Sequence, residues 1–163
     1  MITDYTSYAE VRSILGVNDE EVPDEELALP IWSMLLEDKL SAVSDSVATN
    51  VTAIEAIPEA ERTAAQKKFL ATSSMYAAYA TAQELLIALP MFAYKKLTDG
   101  KAEVERFDRW ADLKAGIERG ANAMRLKLRL ALAAVDPSYL VPAAVTGLFI
   151  VSTGIATDPV TGV

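Results

Sequence analysis

The chain has no cysteine and no histidine among its 163 residues. Without cysteine there are no disulfides and no thiolate nucleophiles, and nothing follows about redox compartment, since cysteine-free chains suit any of them. Without histidine there are no imidazole ligands and no serine–histidine nucleophile pairs. Carboxylates are what is left for metal chemistry. Glu37 and Asp38, with Asp45 further along, come nearest to a cluster. Metal-binding helical bundles pair Glu-x-x-His motifs and EF-hands need a fixed spacing of oxygen ligands; neither pattern occurs, so these acids read as solvated helix surface. There is also no Gly-rich phosphate loop, dinucleotide fingerprint or serine elbow, and Asp99-Gly100-Lys101 reads as a helix-to-loop turn. Neither enzymatic activity nor a cofactor is expected.

Basic residues are scarce at both ends. Residues 1–62 hold 14 acids and 3 bases, a net −11, while residues 63–135 hold 7 acids and 12 bases, a net +5. Asp136 and Asp158 complete the overall −8. An acidic front repels phosphate and disfavours a duplex-reading protein. It reads either as a face for solubility or as a surface matched to a partner. The bases Arg119, Arg125, Lys127 and Arg129 lie toward the end of the last helical stretch, where cations complement the helix dipole. Arg125 and Arg129, at i, i+4, share a face. In an oligomer, Arg119, Arg125 and Arg129 are candidate partners for Glu20, Glu21, Glu25 and Glu26 of the next copy.

Four helices are predicted. Ser7 and Glu10 stand in capping-box spacing, Tyr8, Val11, Ile14 and Leu15 form an apolar stripe, and Gly16 suits a left-handed stop. A second helix is expected from an N-cap at Asp24 to about Ile57, ahead of Pro58, with Leu27, Ile31, Met34, Leu35, Ala42, Val43 and Val47 at helical spacing. Pro30 marks a kink or a late start, and the run Ser46–Thr52 has weak helix propensity. Thr63 and Gln66 form a second capping box, opening a third helix to about Leu97. It carries Phe69, Met75, Tyr76, Ala80, Leu86 and Ile87, with a kink expected at Pro90. Its small residues permit close approach, so it is expected to be the central helix. Tyr76, Tyr79, Tyr94, Met75 and Met91 read as packing residues. After an extended crossing over 101–107, a fourth helix from Asp108 to Val135 presents Trp110, Leu113, Ile117, Ala121, Met124, Leu128, Ala131 and Val135 as one stripe. Trp32 and Trp110 are expected to anchor helix junctions. At ~1.5 Å per residue the three long helices would each run roughly 40–50 Å.

The last 27 residues, Pro137 to Val163, contain no Lys or Arg and one acid, Asp158. Pro137, Pro142, Gly147, Gly154, Pro159 and Gly162 punctuate a segment rich in β-prone residues. Leu140 to Ala156 is apolar but short of the ~20 residues a membrane span needs, and it lacks basic flanks, so no membrane role is expected. The start, Met1-Ile2-Thr3-Asp4-Tyr5, has no basic and apolar leader pattern. Apolar surface of this kind seeks burial, and short β-prone pieces find partners by adding to another sheet edge. The expected organisation is an all-α, elongated bundle of about four helices over 1–136, with an extended, β-prone C-terminal arm over 137–163. Tyr139, Leu140, Val145, Leu148, Phe149, Ile150, Val151 and Ile155 are its candidate docking residues.

The opening Tyr8-x-x-Val11-Arg12-x-x-Leu15-Gly16-Val17, followed by an acidic turn with Pro23-Asp24-Glu25, resembles the start of head–tail adaptor (connector) proteins of tailed bacteriophages. The stretch Ala93-Tyr94-Lys95-Lys96-Leu97-Thr98-Asp99-Gly100-Lys101-Ala102-Glu103-Val104-Glu105-Arg106-Phe107, followed by a long helix, is similar to the same group. The likeness covers roughly residues 5–135 in order and kind of element. It implies a non-enzymatic helical subunit, made in the host cytoplasm and placed at the virion neck, forming a homo-oligomeric ring commonly of twelve copies. Such a ring binds the portal protein above and a downstream tail or nozzle protein below. It extends the channel through which DNA passes without specific binding, and a C-terminal arm often reaches the portal. An acidic front facing that channel would let DNA slide. Two other readings remain beside it. A small-terminase-like DNA packaging protein would bind duplex through Arg119, Arg125, Lys127 and Arg129. A helical ligand-binding protein would use the tyrosine-rich third helix as a pocket wall.

Overall fold

The computed structural model describes residues 1–93 and 110–139, and every regular element among them is helical. After a 3-10 turn at Ile2–Asp4, helix α1 spans Tyr8–Leu15. Its capping box forms as the spacing requires: the Glu10 amide donates to the Ser7 hydroxyl at 3.2 Å, and the Ser7 amide donates to the Glu10 carboxylate at 3.1 Å. Gly16, at φ +67°, closes the helix in the left-handed region that suits glycine. Arg12 then holds the following loop, donating from Nε to the Val22 carbonyl at 2.7 Å and pairing with Asp24.

The long second helix expected from 24 to 57 is instead three: α2 (Asp24–Leu27), α3 (Pro30–Ser41) and α4 (Ser46–Glu55). Pro23, not Asp24, is the N-cap of α2, so Asp24 is the first helical residue and its carboxylate turns to Arg12. Pro30 opens α3 at the position where its missing N–H leaves nothing unsatisfied. The second break falls after Ala42, where the Ser44 hydroxyl accepts from the Ser46 amide at 3.2 Å, a local bond that competes with helix. Each break resets the helical phase. Leu27, Val43 and Val47 are buried as expected, but Ile31, Met34 and Ala42 turn outward, and Leu36 and Leu40 take the core side of α3.

Helix α5 spans Ala64–Ala93, opened by the Thr63–Gln66 box with bonds of 2.8 and 3.2 Å, and it continues through position 90. At ~1.5 Å per residue it is about 45 Å long. Phe69, Tyr76, Ala77, Ala78, Ala80, Ala82, Leu85 and Leu86 are all buried and spread round most of the helix, while Lys67, Lys68 and Ala71 leave one side of its first half exposed. That is the signature of a central helix, as predicted. Met75 and Ile87 are exceptions, both exposed. Helix α6 (Trp110–Val135) packs along α5, burying Ile117, Ala121, Leu128 and Ala131 of the predicted stripe and also Leu132, which the stripe did not include. The Tyr79 ring of α5 lies directly against the α6 backbone at Gly120, where an added Cβ would overlap it.

Two core clusters result. One joins Leu36, Leu40, Val43, Val47, Val51 and Ile54 to Phe69, Tyr76, Leu128 and Leu132. The other joins Val11, Leu15, Val22 and Leu27 to Ala78, Leu85, Leu86 and Ile117. Trp32 and Tyr8 touch both, and the Trp32 indole donates to the Glu26 carbonyl at 2.8 Å, so Trp32 does anchor a helix junction. Asp136 ends α6 by accepting from the Ser138 amide at 3.0 Å and from Asn50 of α4 at 3.3 Å. The extension of α5 to Leu97, Tyr94, the crossing over 101–107 and the arm over 140–163 lie outside the described residues.

Candidate interaction surfaces

The acidic front is built on the loop between α1 and α2 and on α2 itself. Glu20 and Glu25 are exposed. Glu21 shapes its turn: its carboxylate accepts from the Asn18 amide at 3.0 Å, and its own amide donates to the Asn18 side chain at 2.9 Å. Glu26 is half-buried. Val22 and Leu27 pin this segment to the cluster containing Leu86 and Ile117. Further acids gather around Tyr5, whose phenol is pushed up by burial and by the nearby carboxylates of Glu37, Asp4 and Glu55.

The basic residues sit elsewhere. Tyr76 donates to the Lys39 carbonyl at 3.2 Å, and burial pushes its phenol up while Arg125, Lys39 and Arg129 pull it back. Lys39 is neutralised by Glu84 at 2.9 Å. Among the described residues, none of Arg119, Arg125, Lys127 and Arg129 forms an ion pair, and Nε of Arg129 is buried without a hydrogen-bond partner. A buried donor without an acceptor is destabilising, more so when charged. Arg125 and Arg129 share a face as the spacing requires, whereas Arg119, six residues earlier, lies about 120° round the helix from Arg125. The acidic segment of the α1–α2 loop and α2 sits at a different level of one copy from Arg125 and Arg129. Roughly 16 Å of helix axis separates Ile117, beside the acidic segment, from Leu128, beside Arg129.

Four large apolar side chains point to solvent on two outer helix faces. On α3, Ile31 is 49% and Met34 65% exposed; on α6, Leu126 is 57% and Leu130 56% exposed. Ile31, Met34 and Asp38 form one stripe opposite Leu36 and Leu40, and Arg119, Ala123, Leu126 and Leu130 form another opposite Ile117 and Leu128. The sequence pattern expects Ile31 and Met34 in the core, and the α2–α3 break explains their reversal. It does not single out Leu126 and Leu130. The available signal is a pair of leucines at i, i+4 on the far side of the predicted core stripe.

Of the candidate docking residues, Tyr139 belongs to the body: it packs on the first core cluster, its hydroxyl 3.5 Å from the Val43 carbonyl. It is tied there because the turn at Asp136 folds the chain back toward α4. Leu140, Val145, Leu148, Phe149, Ile150, Val151 and Ile155 lie outside the described residues. Glu37, Asp38 and Asp45 are exposed, and no group of three metal-ligating side chains occurs among the described residues. Among the same residues no helix is long and apolar enough to cross a membrane. Comparison with family models, with curated proteins and with solved structures finds no match to this chain.

Proposed function

We propose that this chain is a structural subunit of a virion neck, a head-to-tail adaptor that assembles as a ring beneath a portal, extends the DNA channel and carries tail components. The observation that carries the reading is the pair of outward apolar stripes, on α3 and α6, flanked by charge of opposite sign. Exposed apolar residues grouped in this way favour a surface that another protein covers. Their position on two different helices suits a contact repeated from copy to copy, which closes into a ring when the rotation allows. The likeness of residues 5–135 to phage adaptors supplies the rest: about twelve copies, a portal above and a tail protein below.

In this reading the β-prone segment after Tyr139 is the arm that adds to the portal, and the acidic front lets DNA pass without sticking. Light scattering tests it on the full chain and on a 1–139 truncation, each alone and with candidate portal protein. The cut follows Tyr139, not Asp136, so that the core contact with Val43 is kept. A ring-sized complex that joins the portal through residues 140–163 is the expected outcome. A monomer indifferent to both the truncation and the portal would overturn the reading.

A further inference from the structure

We infer that the outer face of α6 is covered by the outer face of α3 from a second copy, with the two helices antiparallel. This rests on the ring reading above and names its contact. Each stripe has an apolar part and a charged end, and the signs are opposite. On α3 the order is Ile31, Met34, Asp38, with Glu25 and Glu26 of α2 just before it. On α6 the order is Arg119, Ala123, Leu126, Leu130, with Arg129 beside the last.

Laid antiparallel, Ile31 meets Leu130 and Met34 meets Leu126. Asp38, about 6 Å beyond Met34 along its axis, then falls near Ala123, within reach of the long Arg119 side chain one turn further on. One placement therefore covers four exposed apolar side chains and brings Asp38 to Arg119. A parallel placement brings Glu25 to Arg119 but leaves Asp38 beside Leu130. Charge complementarity of this kind fixes register and orientation more than it adds affinity, while the apolar centre supplies the binding. The contact is heterologous, α3 of one copy on α6 of the next, and so leaves a free α3 and a free α6 at its two ends for further copies.

The test is a set of full-length variants, Met34→Glu, Leu126→Glu, Asp38→Arg, Arg119→Asp and the Asp38→Arg/Arg119→Asp double, compared by light scattering over a concentration series. Far-ultraviolet dichroism checks that each remains folded; all four sites are exposed. Each single variant is expected to weaken self-association by about tenfold or more, and the charge swap to restore most of it. If the wild type assembles and the single variants assemble equally well, the interface is wrong while the adaptor reading stands. Restoration by Glu25→Arg with Arg119→Asp, and not by the Asp38 swap, would overturn the antiparallel order. Assembly through these faces without any binding of portal protein would keep the interface and remove the adaptor reading. A wild type that stays monomeric with and without portal protein would end both.

Discussion

Two glycines four residues apart in α6 should respond in opposite ways to the same substitution. Alanine is favoured over glycine inside a helix by about 1 kcal/mol, through the smaller backbone entropy lost on folding. At Gly116 nothing lies within 4 Å of the added Cβ, so Gly116→Ala should collect most of that gain. At Gly120 the same Cβ would lie 2.2, 2.7 and 2.9 Å from Cε1, Cδ1 and Cζ of Tyr79. Carbon atoms prefer about 3.5–4.0 Å, so the ring or the whole of α6 must shift by roughly 1.5 Å. Overpacking of this kind costs about 1–3 kcal/mol. Tyr79 is half-buried against the second cluster, which limits its escape. Gly120→Ala should therefore lower stability by up to ~2 kcal/mol after the propensity gain is subtracted. For a chain of this length each kcal/mol moves the thermal midpoint by about 2–4 °C. Thermal and urea melts of both variants give the comparison, and a Tyr79→Ala background supplies the control. With the ring removed, Gly120→Ala should become stabilising like Gly116→Ala. Equal stabilisation by the two alanines in the wild-type background would refute the packing of the Tyr79 ring on Gly120.

Two further outcomes follow from the caps and the carboxylates. Ser7→Ala removes the acceptor for the Glu10 amide and should cost about 0.5–2 kcal/mol by urea melt, whereas Ser7→Thr keeps a hydroxyl at the same place and should retain most of the cap. Glu10 is held below its ordinary pKa, first by the Ser7 amide and then by the Thr6 hydroxyl, and Asp136 is held low chiefly by the Ser138 hydroxyl. A depressed folded pKa contributes stability above the unfolded carboxylate value and loses it as pH falls through the folded one. The thermal midpoint should therefore stay flat between about pH 5.5 and 7, where a chain without histidine has little to titrate, and drop below about pH 4. Glu10→Gln should be less stable at neutral pH and show a shallower acid drop; an unchanged acid slope would count against the bond to Ser7.

Local side-chain chemistry made much of the fold legible. Ser7 with Glu10, Thr63 with Gln66, and Gly16 are signals written within four residues, and each forms as its spacing predicts. The α6 stripe was legible because one uninterrupted helix keeps one phase. The region 24–57 was not, because Pro30 and the serines at 44 and 46 break the helix twice, and a stripe counted across a break puts residues on the wrong side. Ile31 and Met34 are misplaced for that reason alone. The candidate surfaces follow the same rule. Sequence placed the acids and bases in separate stretches, but that Glu21 is tied to Asn18, and that Tyr139 packs on the body, depends on how the chain turns at Asn18 and at Asp136.

The burial pattern of α5 also bears on what order folding and assembly take. Most of the apolar side chains of α5 are buried, and α1, α3, α4 and α6 of the same copy pack against it. Both core clusters are therefore built from residues of one chain. Obligate dimers behave differently, since their folded monomer is missing part of its core. Among the described residues, the exposed apolar side chains of α3 and α6, Ile31, Met34, Leu126 and Leu130, lie on the far sides of those helices from the core. Substitutions at Met34 or Leu126 should accordingly alter association while leaving the melting transition in place, and substitutions at Gly120 or Phe69 should do the reverse. That separation lets a preformed subunit be added to a growing assembly, with ordering confined to the contact itself.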